Sequence, residues 1–334
     1  MAGKIKNILI TLPIKEHHLK KLTDCLDADV NVIQIKPSEK DKLAEALKVV
    51  DVAVLDVAVL GGGVGRDLFT APNLKWVHFD AAGLDYLAKT PMLDSGIAIT
   101  GSAGRSAPAL AEHVLYFMLS LSYKSRAIFA SQAACKWGYE NQEETAALFS
   151  QTIGILGLGN TGDALAKRAK ALEMTVLAHK RSNIEKPDYV DVLYTEENGD
   201  SIDRLIENSD FIAVCTPLNN KTYHMLGERE FKMMKTTAVV ANVGRGACID
   251  EKALIEALKT GEIAGAGLDT FEKQPLPDDS ELWKLDNAIV TPHFTPPCPD
   301  KIGRSLDIVA DNLIRYQKGE SLRNLLTRVD IFEL

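Results

Sequence analysis

The sequence predicts an α/β protein built from two doubly wound parallel sheets, and three observations carry that prediction. Short β-rich runs alternate with helical segments along most of the chain, the pattern of parallel strands joined by crossover helices. A turn of the form GxGxxG, Gly157-Leu-Gly-Asn-Thr-Gly162, stands between an apolar strand and an amphipathic helix, as in dinucleotide-binding βαβ units. The length of 334 residues suits about two domains at roughly 100–200 residues each.

Residues 5–12, 30–35, 49–55, 74–79 and 97–100 read as the buried strands of a first series. Between the second and third, residues 38–49 place Leu43, Ala46, Leu47 and Val50 at helical spacing, with Ser38 as the expected cap and Asp41 in the first turn. Gly61-Gly-Gly-Val-Gly65 imitates the nucleotide turn, but Arg66 stands where the third glycine belongs. It is expected to be a flexible loop near substrate. A long helix is expected over 107–125, with an apolar face of Leu110, Val114, Phe117, Met118 and Leu121, followed by a looser segment around Trp137.

The second series has strands at 152–156, 175–178, 211–215, 238–242, 265–268 and 288–291. Its helices are expected at 163–173, 201–207, 228–234 and 251–260, the last with Asp250 at its cap and Gly261 past its end. After the turn-rich Thr295-Pro-Pro-Cys-Pro299, a final helix over 300–318 places Ile302, Leu306, Val309 and Leu313 on one side.

Composition excludes several classes. A hydrophobic fraction of 46% argues against a disordered chain. Lys+Arg of 38 against Asp+Glu of 46, a net charge of −8, argues against coating nucleic acid or an anionic membrane. Five cysteines (Cys25, Cys135, Cys215, Cys248, Cys298) contain no CxxC pair, so neither a zinc clip nor a disulfide framework is expected, and reduced cytoplasmic thiols fit best. The first apolar run is too short for a signal peptide, and Asp51 and Asp56 interrupt the most apolar stretch.

The glycines have separate tasks: Gly157 the tight turn, Gly159 the close approach of backbone to a pyrophosphate, Gly162 the packing of helix on strand. An NAD site places an acidic residue about 20 residues on, for the ribose 2′-OH. Here the next strand ends Ala178-His179-Lys180-Arg181-Ser182. Two cations and a hydroxyl suit a 2′-phosphate, so NADP(H) is the expected cofactor, with NAD(H) as the lesser alternative.

Asn242-Val-Gly-Arg245, Leu268-Asp269-Thr-Phe-Glu272-Lys-Gln274-Pro275 and Thr291-Pro-His293 each sit at the carboxyl end of an expected strand, where open α/β sheets bind ligands. An arginine there can hold carboxylate and carbonyl oxygens in a fork. A histidine can give or take the hydroxyl proton while hydride moves to or from a nicotinamide. Among the other histidines, His17-His18 read as solvated surface and His113 as a packed helix residue. His78 fits strand burial or a cleft equally well, and His224 has at most a minor cofactor role. Arg105 and Ser106 fall at an expected hinge. No clustered set has metal-ligand spacing.

Together with Ala81-Ala-Gly83-Leu-Asp85, Ala111-Glu-His113, Cys215-Thr-Pro217-Leu and Met234-Lys235, these segments resemble the D-isomer-specific 2-hydroxyacid dehydrogenases over essentially the whole chain. The resemblance implies a flavodoxin-like substrate-binding domain of residues 1–105 and 296–334, with an inserted Rossmann cofactor domain of residues 106–295. It also implies a homodimer made largely by the cofactor domain, and small 2-keto or 2-hydroxy acids as substrates. Carried onto this chain, Arg245 anchors substrate, His293 is the acid/base, Ala82 and Gly83 hold the carboxylate, and Asp269 bonds the nicotinamide amide. The cofactor set is Gly157, Gly159, Asn160, Thr161, Gly162, Lys180, Arg181, Ser182, Cys215, Thr216, Pro217, Thr222, Val243 and Asp269. Arg181-Ser182 is similar to the NADP-preferring glyoxylate/hydroxypyruvate reductase branch, and no added regulatory domain is expected after Leu334.

The pattern departs from the family at Gln274, where most members carry glutamate against the histidine. An amide orients the ring but adds no charge. With an extended segment, Glu272 would share a face with residue 274 and partly replace that charge. Keto-acid reduction is therefore expected to fall off earlier with rising pH than in glutamate-containing relatives. Formate dehydrogenases also pair glutamine with histidine, so formate oxidation is the alternative chemistry. A dinucleotide-sensing dimeric scaffold, similar to C-terminal-binding-protein co-repressors, is the non-enzymatic one. After His293, Phe294 and the following prolines replace the usual small residues and are expected to stiffen the return of the chain.

Overall fold

A computed structural model describes residues 4–60, 68, 70–84, 87, 90–294 and 296–328. The glycine run at 61–65, Arg66, Asp85 and Thr295 lie outside the described residues. The chain divides into two compact units, Met1–Ser106 with Cys298–Leu334, and Ala107–Pro297. Among the described residues no helix is long and apolar enough to cross a membrane.

In the first unit, strands β1 (Asn7–Ile10), β2 (Asn31–Gln34), β3 (Val52–Leu55), β4 (Trp76–Phe79) and β5 (Ala98–Gly101) form a parallel sheet. Its order, β2-β1-β3-β4-β5, is that of flavodoxin-like folds. Strand alternation sends alternate side chains to opposite faces. Ile8, Ile10, Val52, Val54 and Trp76 pack with Leu22 of α1 (Glu16–Thr23) and with Leu306, Val309 and Leu313 of the terminal helix, Lys301–Lys318. Leu9, Ala53, Leu55 and Val77 face the other way, onto Leu43 and Leu47 of α2 (Lys40–Leu47).

The structure corrects two expectations here. Glu39, not Ser38, occupies the cap position of α2, and no side chain caps it. His18 is not solvated: it lies on α1, 5% exposed, where Nδ1 accepts from Lys15 N at 3.2 Å and Nε2 lies 3.2 Å from Asp300 Oδ1. Asp300 in turn caps the terminal helix by accepting from Gly303 N.

His78 resolves to strand burial. It is fully buried between Thr100 Oγ1 at 2.9 Å and Ser102 Oγ at 3.0 Å. Burial, aided by the nearby Arg105 charge, pulls its pKa down to about 3, so the ring is neutral. Arg105 is buried, ion-paired with Asp80, and 3.1 Å from Ser305 Oγ.

In the second unit, β6 (Thr152–Leu156), β7 (Thr175–Lys180), β8 (Val192–Thr195), β9 (Phe211–Val214), β10 (Val239–Asn242), β11 (Gly265–Leu268) and β12 (Ala288–Val290) form a second parallel sheet. Its order is β12-β11-β10-β9-β6-β7-β8. The chain winds out to β8 on one side of β6 and resumes at β9 on the other, which is the Rossmann switch point.

The helices of this unit are α3 (Ala107–Ser122), α4 (Ser125–Ala133), α5 (Asn160–Ala171), α6 (Asp203–Asn208), α7 (Glu228–Met233) and α8 (Glu251–Thr260). The terminal helix of the first unit is then α9. The expected long helix breaks at Lys124, in the left-handed region at φ 51°, and α4 buries none of its residues. α3 packs Val114, Phe117 and Met118 against Ile153, Ile155, Val239 and Ala241. Gly267 makes room for it, since a Cβ there would come within 2.3 Å of the Phe117 ring. α8 is capped as expected: the Asp250 side chain accepts from Lys252 N and Ala253 N, and Gly261 closes the helix at φ 72°.

Candidate active site

The glycine turn joins β6 to α5. Gly157 takes φ +98°, and its Cβ would stand 2.9 Å from Thr216 Cγ2. A Cβ at Gly162 would stand 2.2 Å from Gly157 O, so the helix reaches the strand only without one. Gly159 differs in kind. No atom lies within 4 Å of where its Cβ would be, and Gly159 and Asn160 are exposed at the start of α5. That open cradle, beside the unpaired N–H groups of the helix start, fits a pyrophosphate.

At the end of β7 the basic residues divide. Lys180 Nζ donates to Leu158 O at 2.9 Å, bracing the glycine turn from outside. Arg181 is exposed and Ser182 half-buried. His179 is buried, and that burial lowers its pKa. Sequence reading missed the glutamates that follow β8: Glu196 pairs with Lys221, and Glu197 accepts from Asn183 N.

After β9, burial pushes the Cys215 thiol up to about 12. Thr216 and Val243 are buried. The Thr222 hydroxyl donates to Pro217 O at 2.7 Å and so holds its own loop together.

After β10, Asn242 builds the turn that carries Arg245. Its Oδ1 accepts from Gly244 N and its Nδ2 donates to Arg245 O, both at 3.0 Å. Gly246 lies flat on the Phe271 backbone, where a Cβ would fall 1.9 Å from the Phe271 carbonyl carbon. The Arg245 segment and the segment ending at Gln274 are thereby pressed together.

His293 is exposed, at φ +50°, and its Nδ1 lies 2.7 Å from Gln274 Oε1. The amide is oriented by its other end, since Gln274 Nε2 donates to Phe271 O at 3.3 Å. The oxygen therefore faces the ring, and Nδ1 carries the proton. Among the described residues Nε2 makes no hydrogen bond.

Glu272 does not supply the missing charge. Residues 272–275 form a bend rather than an extended run, and Glu272 Oε1 lies 2.8 Å from His224 Nε2. His224 thus faces a carboxylate. Asp269, 1% exposed, supports the histidine segment: Oδ1 accepts from Thr291 Oγ1 at 2.6 Å and from Phe294 N at 2.7 Å. His113 lies behind it, with Nε2 3.3 Å from Thr291 Oγ1 and a pKa lowered by burial. Only a tertiary contact reveals that support. Ala82 and Gly83 follow β4 in the first unit, Ala82 exposed and Gly83 half-buried.

The model of the "D-isomer specific 2-hydroxyacid dehydrogenase, NAD binding domain" matches residues 115–295. A glyoxylate reductase of Korarchaeum cryptofilum is 32% identical over 334 residues, covering 96% of this chain and 96% of that protein. A D-isomer specific 2-hydroxyacid dehydrogenase family protein from Aeromonas salmonicida superposes with a TM-score of 0.77 at 25% identity, covering 97% of this chain and 99% of that one. A D-isomer specific 2-hydroxyacid dehydrogenase from Xanthobacter autotrophicus, solved in complex with NADPH and MES, does so with a TM-score of 0.76 at 24% identity, covering 97% and 98%. With a Rossmann sheet, an open glycine cradle and a histidine held by its Nδ1, the chain belongs to the D-isomer specific 2-hydroxyacid dehydrogenase family and is an NAD(P)-dependent D-2-hydroxyacid dehydrogenase.

Proposed function

We propose that the protein is an NADP(H)-dependent reductase of small 2-keto acids of the glyoxylate/hydroxypyruvate type, working reversibly on the D-2-hydroxy acid. The observation that carries this reading is the 2.7 Å contact of His293 Nδ1 with Gln274 Oε1. It fixes the ring and leaves Nε2 for a substrate oxygen. When bound, the nicotinamide cofactor supplies or accepts the hydride. In reduction, Nε2–H of the imidazolium gives its proton to the carbonyl oxygen as the carbonyl carbon takes the hydride. In oxidation, neutral Nε2 takes the hydroxyl proton. Arg245 holds the carboxylate and polarises the carbonyl. In the first unit, the backbone N–H groups of Ala82 and Gly83 are the proposed carboxylate donors. The open space at Gly159 and the start of α5 receives the pyrophosphate, while Arg181 and Ser182 receive the 2′-phosphate.

The relatives support this reading: the Korarchaeum protein is a glyoxylate reductase and the Xanthobacter structure holds NADPH. Free thiols at all five cysteines fit a cytoplasmic setting. A homodimer through the second unit is supported by its exposed apolar residues, with Tyr116 51%, Tyr123 44% and Phe129 66% exposed on α3, α4 and the turn between them.

The test is NADPH oxidation against a panel of 2-keto acids, with NADH and with formate plus NADP⁺ as parallel arms. Turnover of glyoxylate or hydroxypyruvate with NADPH preferred is the expected result, and Arg181→Ala should cut that preference about tenfold, the scale of one charge-assisted hydrogen bond. An NADH preference would overturn the cofactor assignment. Formate-driven reduction without keto-acid turnover would overturn the substrate class, and cofactor binding without turnover would favour a sensing scaffold.

A further inference from the structure

The second unit holds a cluster of ionisable groups that the mechanism above does not use. His224 stands between two carboxylates, with Nε2 2.8 Å from Glu272 Oε1 and Nδ1 3.8 Å from Asp250 Oδ2. Its backbone is held in the left-handed region at φ 48°, and the Tyr223 ring stacks on the imidazole at 3.9 Å. Three segments meet at this ring: the loop after β9, the start of α8, and the bend that leads to Gln274. Backbone bonds lace the first two together, from His224 N to Ala247 O at 2.8 Å and from Asp250 N to Leu226 O at 2.9 Å. The third is bonded to the start of α8 through Glu251 and Glu272, and the imidazole adds its tie to the loop after β9.

His224, Asp250 and Glu272 offer ligand atoms within 4.8 Å of one another, which suits a metal ion by distance. The chemistry of the helix start points elsewhere. Asp250 Oδ1 accepts from Lys252 N and Ala253 N, and Glu272 Oε1 accepts from Glu251 N, all at 3.1 Å. Both carboxylates already serve the unpaired N–H groups of α8, at the end of the helix whose dipole repels a cation. Glu251 completes the set by accepting from Glu272 N at 3.2 Å. A hydrogen-bond donor between these carboxylates is what the arrangement calls for, and the imidazole is that donor.

We propose that His224 is a positioning residue for proton transfer: by fastening Glu272 to the loop after β9, it fixes the bend from which Gln274 reaches His293. The proposal rests on the reading of Gln274 and His293 given above. Without the imidazole, Glu272, Asp250 and Glu251 face one another with no donor side chain between Glu272 and Asp250. The bend then moves, and Gln274 Oε1 with it.

The experiment is steady-state reduction of glyoxylate by NADPH with the full chain, together with fluorescence titration of NADPH binding. His224→Ala should lower kcat about tenfold, the scale of a small misplacement of a reacting group, with NADPH affinity unchanged. His224→Gln keeps an N–H for Glu272 and should recover most of the loss. In a Gln274→Ala background, His224→Ala should cost nothing further, because the two act along one path. An unchanged kcat in His224→Ala, additive losses in the cycle, or stoichiometric Zn²⁺ bound by the wild type and lost in His224→Ala would each overturn the proposal. If His224→Ala does not fold, Glu272→Gln enters the same cycle. His293→Ala serves as reference: full turnover there would overturn the acid/base reading itself, whereas loss there beside an unchanged His224→Ala would overturn the positioning role alone.

Discussion

Gln274→Glu places a negative charge where Oε1 now sits, 2.7 Å from His293 Nδ1. With the charge centres about 4 Å apart, the attraction to an imidazolium is about 1 kcal/mol in water and about 4 kcal/mol at an effective dielectric of 20. His293 is exposed, so the lower part of that range applies. At 1.36 kcal/mol per pH unit, about 1–2 kcal/mol corresponds to a displacement of about one unit. The sign follows from charge: a carboxylate favours the protonated ring, so the proton is kept to higher pH. In the proposed mechanism reduction uses the protonated ring, and its falling limb should move up by about one unit. In the same mechanism oxidation uses the neutral ring, and its rising limb should move the same way. The assay is kcat/KM for a 2-keto acid at saturating NADPH across pH, in wild type and variant. An unchanged limb, or one displaced downward, would refute the reasoning.

Gly162→Ala should destabilise the fold by about 1–3 kcal/mol or more in urea, as overpacking does, because its Cβ meets Gly157 O at 2.2 Å; Gly159→Ala should leave the urea midpoint unchanged yet weaken NADP(H) binding, because its Cβ meets open space. His78 is neutral when folded, with a pKa of about 3 against the ordinary 6.5 of histidine, so the unfolded chain binds the extra proton between those values and stability falls as pH drops through that window. Between pH 6.5 and 5 that loss is about 2 kcal/mol for one proton, and urea midpoints should show it in wild type but not in His78→Gln. Tyr116→Glu, on the exposed face of α3, should yield monomers in sedimentation if the apolar surface there joins two copies; a monomeric wild type would contradict that.

Much of this arrangement was legible in the sequence because it is local. The glycine turn, the Asp250 and Gly261 caps and the Arg245, Gln274 and His293 segments each announce themselves within a few residues. What escaped depends on distant partners or weak patterning. α4 buries none of its residues, so it leaves no periodic trace. β8 is a short edge strand with only its last residue buried. His18 reads as surface until Asp300, 282 residues away, comes beside it. Glu272 was placed on the wrong neighbour because its partner His224 arrives from another loop and because the segment bends. The support of Thr291 by His113 likewise spans 178 residues.

The first unit is discontinuous: one face of its sheet, made by Ile8, Ile10, Val52, Val54 and Trp76, is covered by Leu306, Val309 and Leu313 from α9. Ribosomes deliver those two parts on either side of the whole second unit. The second unit is continuous and can close on itself as it emerges, whereas the amino-terminal sheet waits with that face bare until the last helix is made. The longest-lived nascent apolar surface of these two units is therefore on that sheet, and chaperone capture or misassembly during translation would concentrate there rather than on the cofactor unit.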